Sequence, residues 1–178
     1  MRPISALLTL GRLKRGFTLI EFLVAMGIAS VLSVGILIST FQVVSVNAGS
    51  NAHLQAVVQV QNAIHYLNRD VQMAQSVQPQ GASGFPLVLT WTTWSNNDSN
   101  KVTYVLSSGN LVRQYSLNNA PSTNTIVATN FSSIIAETHC ADDPGSHKLT
   151  ATLTASTTSG SKQAKETRQI EIIPRPGS

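Results

Sequence analysis

The sequence predicts an α+β fold, in which a long N-terminal helix packs by its second half on a C-terminal antiparallel β-sheet. Two observations predict it. An apolar run without Asp, Glu, Lys or Arg extends over residues 22–68, whereas the chain after Val77 is rich in Ser, Thr and Asn and contains short alternating segments. No proline lies between Pro3 and Pro79, so no residue in that stretch is bound to break a helix.

The helix is predicted to run from Phe17 to about Gln75, and its first half is long enough to cross a membrane. Residues 22–46 are mostly apolar, and about 20 such residues in a helix span a hydrocarbon core of ~30 Å. Small residues within this run would let neighbouring helices approach closely: Gly27, Ala29, Ser30, Ser33 and Gly35. The segment therefore has the composition of a membrane-spanning and helix-packing segment.

The second half of the helix carries an apolar stripe on a polar background. Within residues 54–74 apolar side chains recur in steps of three and four: Val57, Val60, Ile64, Leu67, Val71 and Ala74. The spacing would also suit a coiled coil, but it lasts only about three heptads. We therefore expect this stripe to pack on the sheet of the same chain.

About six strands are expected after Val77, where prolines and glycines end the helical pattern. The expected elements are a strand at residues 87–91, a hairpin joining residues 102–106 to 111–115 through a turn at 107–110, an apolar run at 126–136, a strand at 149–153, a loop at 158–163 and a closing strand at 167–173. In the closing strand Ile170 and either Ile172 or Ile173 are expected to face inward.

The excess of positive charge belongs to the N-terminus. The chain has 12 Lys and Arg against 8 Asp and Glu, and residues 1–16 contain four of the basic residues and no acidic one. Such a flank stays in the cytoplasm, so the part after the apolar run is expected to be exported. Without residues 1–16 the two signs balance, and the remaining basic residues do not form the clustered surface that binds nucleic acid. Nucleic acid is therefore an unlikely partner.

A carboxylate, Glu21, and a small residue, Gly16, lie at the start of the apolar run. A charge inside a bilayer is costly, but the cost falls at a helix N-terminus, where the partial positive charge favours an anion. If a protease cut after Gly16, the new free amine at Phe17 would be positive at neutral pH. In a staggered array of helices, Glu21 of one subunit would pair with the Phe17 amine of another and neutralise two costly charges. The alternative is that Glu21 reaches the lipid headgroups without a partner.

An ordinary secretory signal peptide is an alternative interpretation of the same segment. Residues 46–48, Val-Asn-Ala, resemble a small-residue cleavage site. The apolar segment, however, is far longer than the usual signal-peptide core of roughly 7–15 residues, and Glu21 interrupts its start. These two features favour a retained membrane helix.

Residues 16–21, Gly-Phe-Thr-Leu-Ile-Glu, follow a basic leader and precede the apolar helix, and they resemble the class III signal of type IV pilins and type II secretion pseudopilins. The resemblance implies the pilin fold and cleavage between Gly16 and Phe17 by a membrane-embedded prepilin peptidase. It implies N-methylphenylalanine at Phe17 and a role in assembly for Glu21, the fifth residue after cleavage.

The same resemblance divides the chain into four segments. Residues 1–16 are the cleaved leader, 17–46 the transmembrane and assembly helix, 47–77 the soluble amphipathic half of that helix, and 78–178 the periplasmic β domain. The protein is then expected to be a single-pass protein of the bacterial inner membrane with a cytoplasmic N-terminus before processing, and to reach the filament tip at the cell surface.

Three shorter segments resemble a narrower group within that family. Residues 67–74, 102–104 and 111–114 are similar to the corresponding regions of J-type minor pseudopilins and PilW-like minor pilins. This similarity implies a low-copy subunit that helps to initiate or cap a filament with other minor subunits. The absence of a proline at Ile38 and of a C-terminal disulfide loop favours a minor subunit over the bulk subunit.

The function expected from these features is that of a minor pilin or pseudopilin in a type IV pilus or a type II secretion system. Its expected partners are prepilin peptidase, other minor and major pilins or pseudopilins, and inner-membrane lipid, with no small-molecule substrate. Two alternatives stay open. In the first, the chain is a filament subunit that contacts DNA or a surface in competence or adhesion. In the second, it is a membrane-anchored periplasmic protein that never polymerises.

No catalytic, cofactor or metal site is predicted, and the chain is not expected to be an enzyme. Cys140 is the only cysteine, so an intramolecular disulfide is excluded. Three groups of residues are candidates for a metal site, for catalysis and for a binding surface, respectively. They are the cluster of His139, Cys140, Asp142, Asp143 and His147, the helix residues His53 and His65, and the aromatic residues Trp91, Trp94, Tyr104 and Tyr115. The cluster has no established metal-ligand spacing, and its Asp-Asp-Pro-Gly segment is typical of a turn. The two helix histidines have no carboxylate neighbours at helical spacing. Aromatic residues in strands more often belong to the core than to a surface that binds carbohydrate or a partner.

Overall fold

A computed structural model gives the structure of the protein and describes residues 18–143, 145 and 147–175. It contains one helix, α1 (Leu19–Met73), and eight strands: β1 (Ser76–Pro79), β2 (Leu87–Thr93), β3 (Asp98–Ser107), β4 (Asn110–Leu117), β5 (Thr123–Ala128), β6 (His139–Asp143), β7 (Lys148–Ser159) and β8 (Lys162–Ile172). Internal contacts divide the chain into two compact units, with the boundary between Val44 and Ser45. The α+β fold of a long apolar helix and antiparallel sheets is confirmed.

The first unit contains the apolar part of α1, and its described side chains are almost all exposed. The helix is long and apolar enough to cross a membrane, with a mean hydropathy of 2.4 over its most apolar window. Its hydroxyl groups donate to carbonyl oxygens one turn earlier, as Ser33 Oγ does to Ala29 O at 2.8 Å and Thr40 Oγ1 to Ile36 O at 2.9 Å. Because these hydroxyls are satisfied within the helix, they do not oppose a hydrocarbon environment.

In the second unit α1 packs on the sheets through a face of small residues. The fully buried apolar positions of the helix and its exit are Ala52, Ala56, Val60, Ala63, Leu67, Val71 and Ala74. The expected stripe was partly wrong, since Val57 and Ile64 are only half-buried. Four of these seven positions are alanines, whose small side chains take up little space between the helix and the sheets. Alanine gives little hydrophobic signal, so the true centre of the face was missed.

The strands form two antiparallel sheets, which corrects the expectation of about six strands in one sheet. The larger sheet has the order β1-β2-β3-β4-β5 and the smaller has β6-β7-β8. The missed strands β1 and β6 are short, and neither Ser-Val-Gln-Pro nor His-Cys-Ala-Asp-Asp alternates clearly between apolar and polar residues. They form because longer neighbouring strands pair with them. Cys140 N also donates to Ser83 O, in the loop between β1 and β2, at 2.9 Å.

The expected hairpin, with its turn at residues 107–110, is confirmed. Tyr104 pairs with Arg113 and Leu106 with Leu111 across β3 and β4. The turn places Ser108 at φ 51° and Gly109 at φ 75°, which is the pair of positive values that a type I′ turn requires. The glycine supplies one of them without steric cost.

Two expected boundaries are wrong in the second half of the domain. The expected loop at residues 158–163 is largely strand, since Thr158 pairs with Gln163 and Ser159 with Lys162. The apolar run at residues 126–136 contributes only the end of β5 and an isolated bridge between Phe131 and Ala155. In both places cross-strand pairing, which composition does not encode, decided the local conformation. Ile172 faces inward as expected, and Ile170 packs at the edge of the core.

Candidate functional site

The helix begins with a reciprocal pair of hydrogen bonds between Thr18 and Glu21. The backbone N of Thr18 donates to Glu21 Oε2 at 3.0 Å, and Thr18 Oγ1 donates to the same oxygen at 2.9 Å. In return, Glu21 N donates to Thr18 Oγ1 at 3.3 Å. This is a capping box, in which the residue before the helix and the third helical residue satisfy donors that the first turn would otherwise leave unpaired.

The capping box gives Glu21 a second use that sequence reasoning missed. Its carboxylate holds the first turn of the helix, where the partial positive charge of the helix terminus also favours an anion. The available signal was the pattern Thr-x-x-Glu directly before an apolar run. Since the side chain is exposed, the carboxylate remains accessible to a charged group from outside. Gly16 and Phe17 lie outside the described residues, so the expected cleavage between them stays a prediction.

Residues 11–37 match the family model described as the prokaryotic N-terminal methylation motif. The protein is prepilin-like. The motif is that of the type IV pilin and pseudopilin family, whose members are structural rather than enzymatic. The matched segment includes Gly16, Phe17 and Glu21 and ends within the apolar part of α1. Among curated proteins and among solved structures, none matches the chain.

This prepilin-like chain also contains a buried charged cluster between its helix and the larger sheet. Asp70 is fully buried on α1. Its Oδ2 accepts hydrogen bonds from Tyr104 Oη at 2.6 Å and from Arg113 Nε at 2.5 Å. Its Oδ1 accepts from Arg113 Nη2 and from both Nε and Nη2 of Arg69, each at 3.2 Å. We call Asp70, Tyr104 and Arg113 the buried link.

Tyr104 and Arg113 of the buried link both keep their protons over the physiological pH range. Burial, together with the charge and hydrogen bond of Asp70, raises the pKa of Tyr104 well above its usual range, so the phenol stays protonated and donates. Burial alone would lower the pKa of Arg113, but the hydrogen bond and charge of Asp70 outweigh it and the pKa is raised. The link therefore acts as a permanent connection between helix and sheet rather than as an acid or base.

The sequence does not predict the contact within the buried link. Each of the three segments that resemble minor subunits, residues 67–74, 102–104 and 111–114, contributes one member of the link. The available signal was that Asp70 follows Leu67 by three residues and so shares the buried face of the helix. A charge on such a face is rare unless it is paired.

The residues considered for a metal site do not assemble into one. Among the described residues, no group of three or more His, Cys, Asp or Glu is placed to hold a metal ion. Within the considered cluster, Cys140 is buried on β6, His139 and Asp142 are half-buried, and His147 is exposed at φ 50°. The alternation of β6 separates neighbouring side chains onto opposite faces.

Cys140 is expected to be unreactive in the folded protein. Its side chain is buried, and burial raises the pKa of its thiol to about 12, so almost no thiolate is present near neutral pH. We expect a maleimide at pH 8 to leave native Cys140 unlabelled and to label it fully in denaturant, as followed by intact mass. A Ser161→Cys variant in the exposed β7–β8 turn is the labelled control. Rapid labelling of native wild-type protein would contradict the buried position.

The four aromatic residues considered as a binding surface are separated by the fold. Tyr104 is fully buried, and Trp91 and Tyr115 pack at the edge of the core. The phenol of Tyr115 donates to Asn100 Oδ1 at 2.7 Å, and the Arg113 guanidinium lies 5.3 Å from the centre of its ring. Only Trp94 is largely exposed, at 70 %. The structure therefore favours the core interpretation for three of the four.

The two histidines of the helix, His53 and His65, are exposed. The ring of His65 meets that of Tyr66 edge to face, with the centroids 5.9 Å apart. These positions match solvent-facing and packing roles on the helix.

Proposed function

We propose that the protein is a minor pilin or pseudopilin that helps to initiate or cap a type IV pilus or a type II secretion pseudopilus together with other minor subunits. In this proposal prepilin peptidase cleaves between Gly16 and Phe17 and methylates the new amine of Phe17. Glu21 then recruits a neighbouring pilin-like subunit. The partners are the peptidase, other minor and major pilins or pseudopilins, and inner-membrane lipid.

The observation that carries the proposal is the position of the capping box. Thr18 and Glu21 are fixed to each other at the start of the helix, immediately after the proposed cleavage site and inside the segment that matches the methylation motif. Because cleavage after Gly16 would leave the Thr18 amide intact, the mature chain would keep the box. The carboxylate would then be held in the first turn, ready to meet the amine of another subunit.

The proposed location follows from charge and hydropathy. Four basic residues and no acidic one precede the apolar part of α1, which supports a single-pass protein of the bacterial inner membrane with a cytoplasmic leader. We assign residues 1–16 to the leader, 17–46 to the membrane and assembly helix, 47–77 to its soluble half and 78–178 to an exported β domain. After assembly the protein would lie at the filament tip.

Two features support a minor rather than a bulk subunit. Helix α1 passes through Ile38 without a proline, and the only cysteine is buried, so no disulfide-bonded loop exists. The three segments that resemble J-type and PilW-like minor subunits each supply a member of the buried link. A common use of these segments in positioning the helix on the sheet would explain that resemblance.

Processing tests the proposal directly. In a strain that expresses prepilin peptidase, we expect the full chain to lose residues 1–16 and to gain one methyl group at Phe17, as measured by intact mass and N-terminal peptide mass. Gly16→Val should leave the precursor uncut, because a branched side chain stands at the bond to be cleaved. Gly11→Val, in the same leader but away from that bond, is the matched control and should be processed normally.

Cleavage near Ala48 would instead identify an ordinary secretory signal, and unchanged processing of Gly16→Val would rule out the proposed junction. Correctly processed protein should then bring other pilin-like proteins with it when it is isolated from membranes. Recovery of processed protein without any such partner would favour the non-polymerising alternative.

A further inference from the structure

Strand β5 has a free edge. It pairs with β4 on one side, and no described strand pairs with it on the other. Its first four residues, Thr123, Asn124, Thr125 and Ile126, are exposed. The backbone N–H and C=O groups along such an edge are available to a strand of another chain.

A β-bulge turns an apolar side chain outward at this edge. Leu111 pairs with Ala128 and Val112 with Ile126, so Val127 is an extra residue in β5. As a result Val127 and Ala128 are both buried, whereas Ile126 is 61 % exposed. The bulge thus removes Ile126 from the core side of the sheet and places it on the opposite face.

Ile126 is the last member of an apolar row on that face. Val105 pairs with Val112, and Val112 pairs with Ile126, so the three side chains lie side by side across β3, β4 and β5. Val105 and Val112 are half-buried. The row leads outward across the sheet and ends at the free edge.

The other long free edge of the domain differs in chemistry. Strand β8 pairs only with β7, and it carries five charged residues: Lys162, Lys165, Glu166, Arg168 and Glu171. Charges of this kind protect sheet edges against unwanted pairing. Strand β5 lacks charged protection, because residues 114–136 contain no charged residue at all.

We propose that the free edge of β5 binds the β5 edge of a second copy of this chain. An antiparallel pair of identical strands forms a two-fold interface in which residue i of one copy contacts residue j of the other and j contacts i, so that only the residue on the axis faces its own counterpart. With Ile126 opposite Ile126 of the second copy, the apolar row continues through the interface into the second sheet. Because β5 is uncharged, no register of this pairing opposes like charges. The interface goes beyond the proposed function, since it needs neither processing nor a filament.

Cysteine cross-linking of the full chain in membranes locates the interface. Ile126→Cys should give, under mild oxidation, about tenfold more disulfide-linked dimer than Gln169→Cys on the exposed edge of β8, because pairing raises the local concentration of the two thiols. Wild-type protein should give no dimer, since Cys140 is buried. Equal dimer from both variants, no dimer from Ile126→Cys, or a product that contains a different protein would overturn the proposal.

Charge substitutions provide a second measurement that does not depend on thiols. In detergent, light scattering should show a dimer for wild type, and Ile126→Asp or Ile126→Lys alone should weaken it about tenfold, through lost apolar burial and like-charge repulsion. Mixing the two variants should restore the dimer. Protection of Cys140 from maleimide reports that each variant is folded. Folded variants that remain fully dimeric would refute pairing through β5.

Discussion

Asp70→Asn will lower the free energy of unfolding by about 3–5 kcal/mol, because it leaves the buried Arg113 guanidinium without its counter-charge. Asp70 is fully buried, and the Arg113 side chain is only 13 % exposed. A domain of this size has a total stability of about 5–15 kcal/mol, so the loss would remove a large part of it. The measurement is urea unfolding of the detergent-solubilised full chain, followed by tryptophan fluorescence.

Companion variants separate the charge from other causes. Tyr104→Phe removes one donor to the carboxylate and should cost about 1.5–3 kcal/mol, the usual range for a hydrogen bond to a charged group. Replacing the whole link by Asp70→Leu, Tyr104→Phe and Arg113→Met together should recover most of the stability, since no buried charge is then left unpaired. Glu171→Gln, which breaks an exposed pair with Lys148 at 3.1 Å, is the control and should change little.

A triple variant as unstable as Asp70→Asn would show that packing, rather than the unpaired charge, causes the loss. A single Asp70→Asn variant with wild-type stability would show that the buried link contributes no net stability. In either case apolar contacts alone would hold α1 against the larger sheet.

Glu21→Leu will strongly reduce the proposed recruitment of the chain into a complex with other pilin-like subunits while leaving the chain in the membrane. The variant removes both the capping box and the negative charge at the start of α1. We expect the amount of other pilin-like protein recovered with the chain to fall at least about tenfold, the change that follows from losing one modest charged contact. The measurement is quantitative mass spectrometry of the complex isolated from membranes.

Two further substitutions distinguish the roles of Glu21. Glu21→Gln keeps a side chain that can complete a capping box but removes the charge. Thr18→Val removes the hydroxyl of the box and keeps the charge. If Glu21 pairs with the amine of a neighbouring subunit, Glu21→Gln should fail like Glu21→Leu, and Thr18→Val should retain most recruitment. Recovery by Glu21→Gln would show that the helix cap, and not charge pairing, is what assembly needs. Undiminished recruitment in all three would remove Glu21 from assembly.

The N-terminal half of the protein was the more predictable part because its signals are local. The apolar run predicted a helix to about Gln75, and the described helix ends at Met73. The residues of the methylation motif are contiguous, so they can be read without a structure. The same holds for the β3–β4 hairpin, whose turn residues and flanking alternation lie within one short segment.

The β domain was harder because its pairing is not local. β6 has no clear alternation of its own and exists as a partner of β7, while residues 158–163 have the composition of a loop but form part of the β7–β8 ladder. The bulge that exposes Ile126 arises from the register of β5 against β4, which no residue of β5 specifies by itself. Register is set by both strands and by the face that must be buried.

The sequence by itself determined that the protein has a basic N-terminal stretch, a methylation motif and an apolar segment long enough to cross a membrane, because each depends on composition or on contiguous residues. Only the tertiary structure decided that Asp70 joins Tyr104 and Arg113, residues 34 and 43 positions away along the chain. The tertiary structure also decided that β5 has a free edge and that Ile126 is exposed there. The physical reason is the same in both cases. Burial and pairing of a polar group or a strand depend on partners distant in sequence, and folding alone brings these partners together.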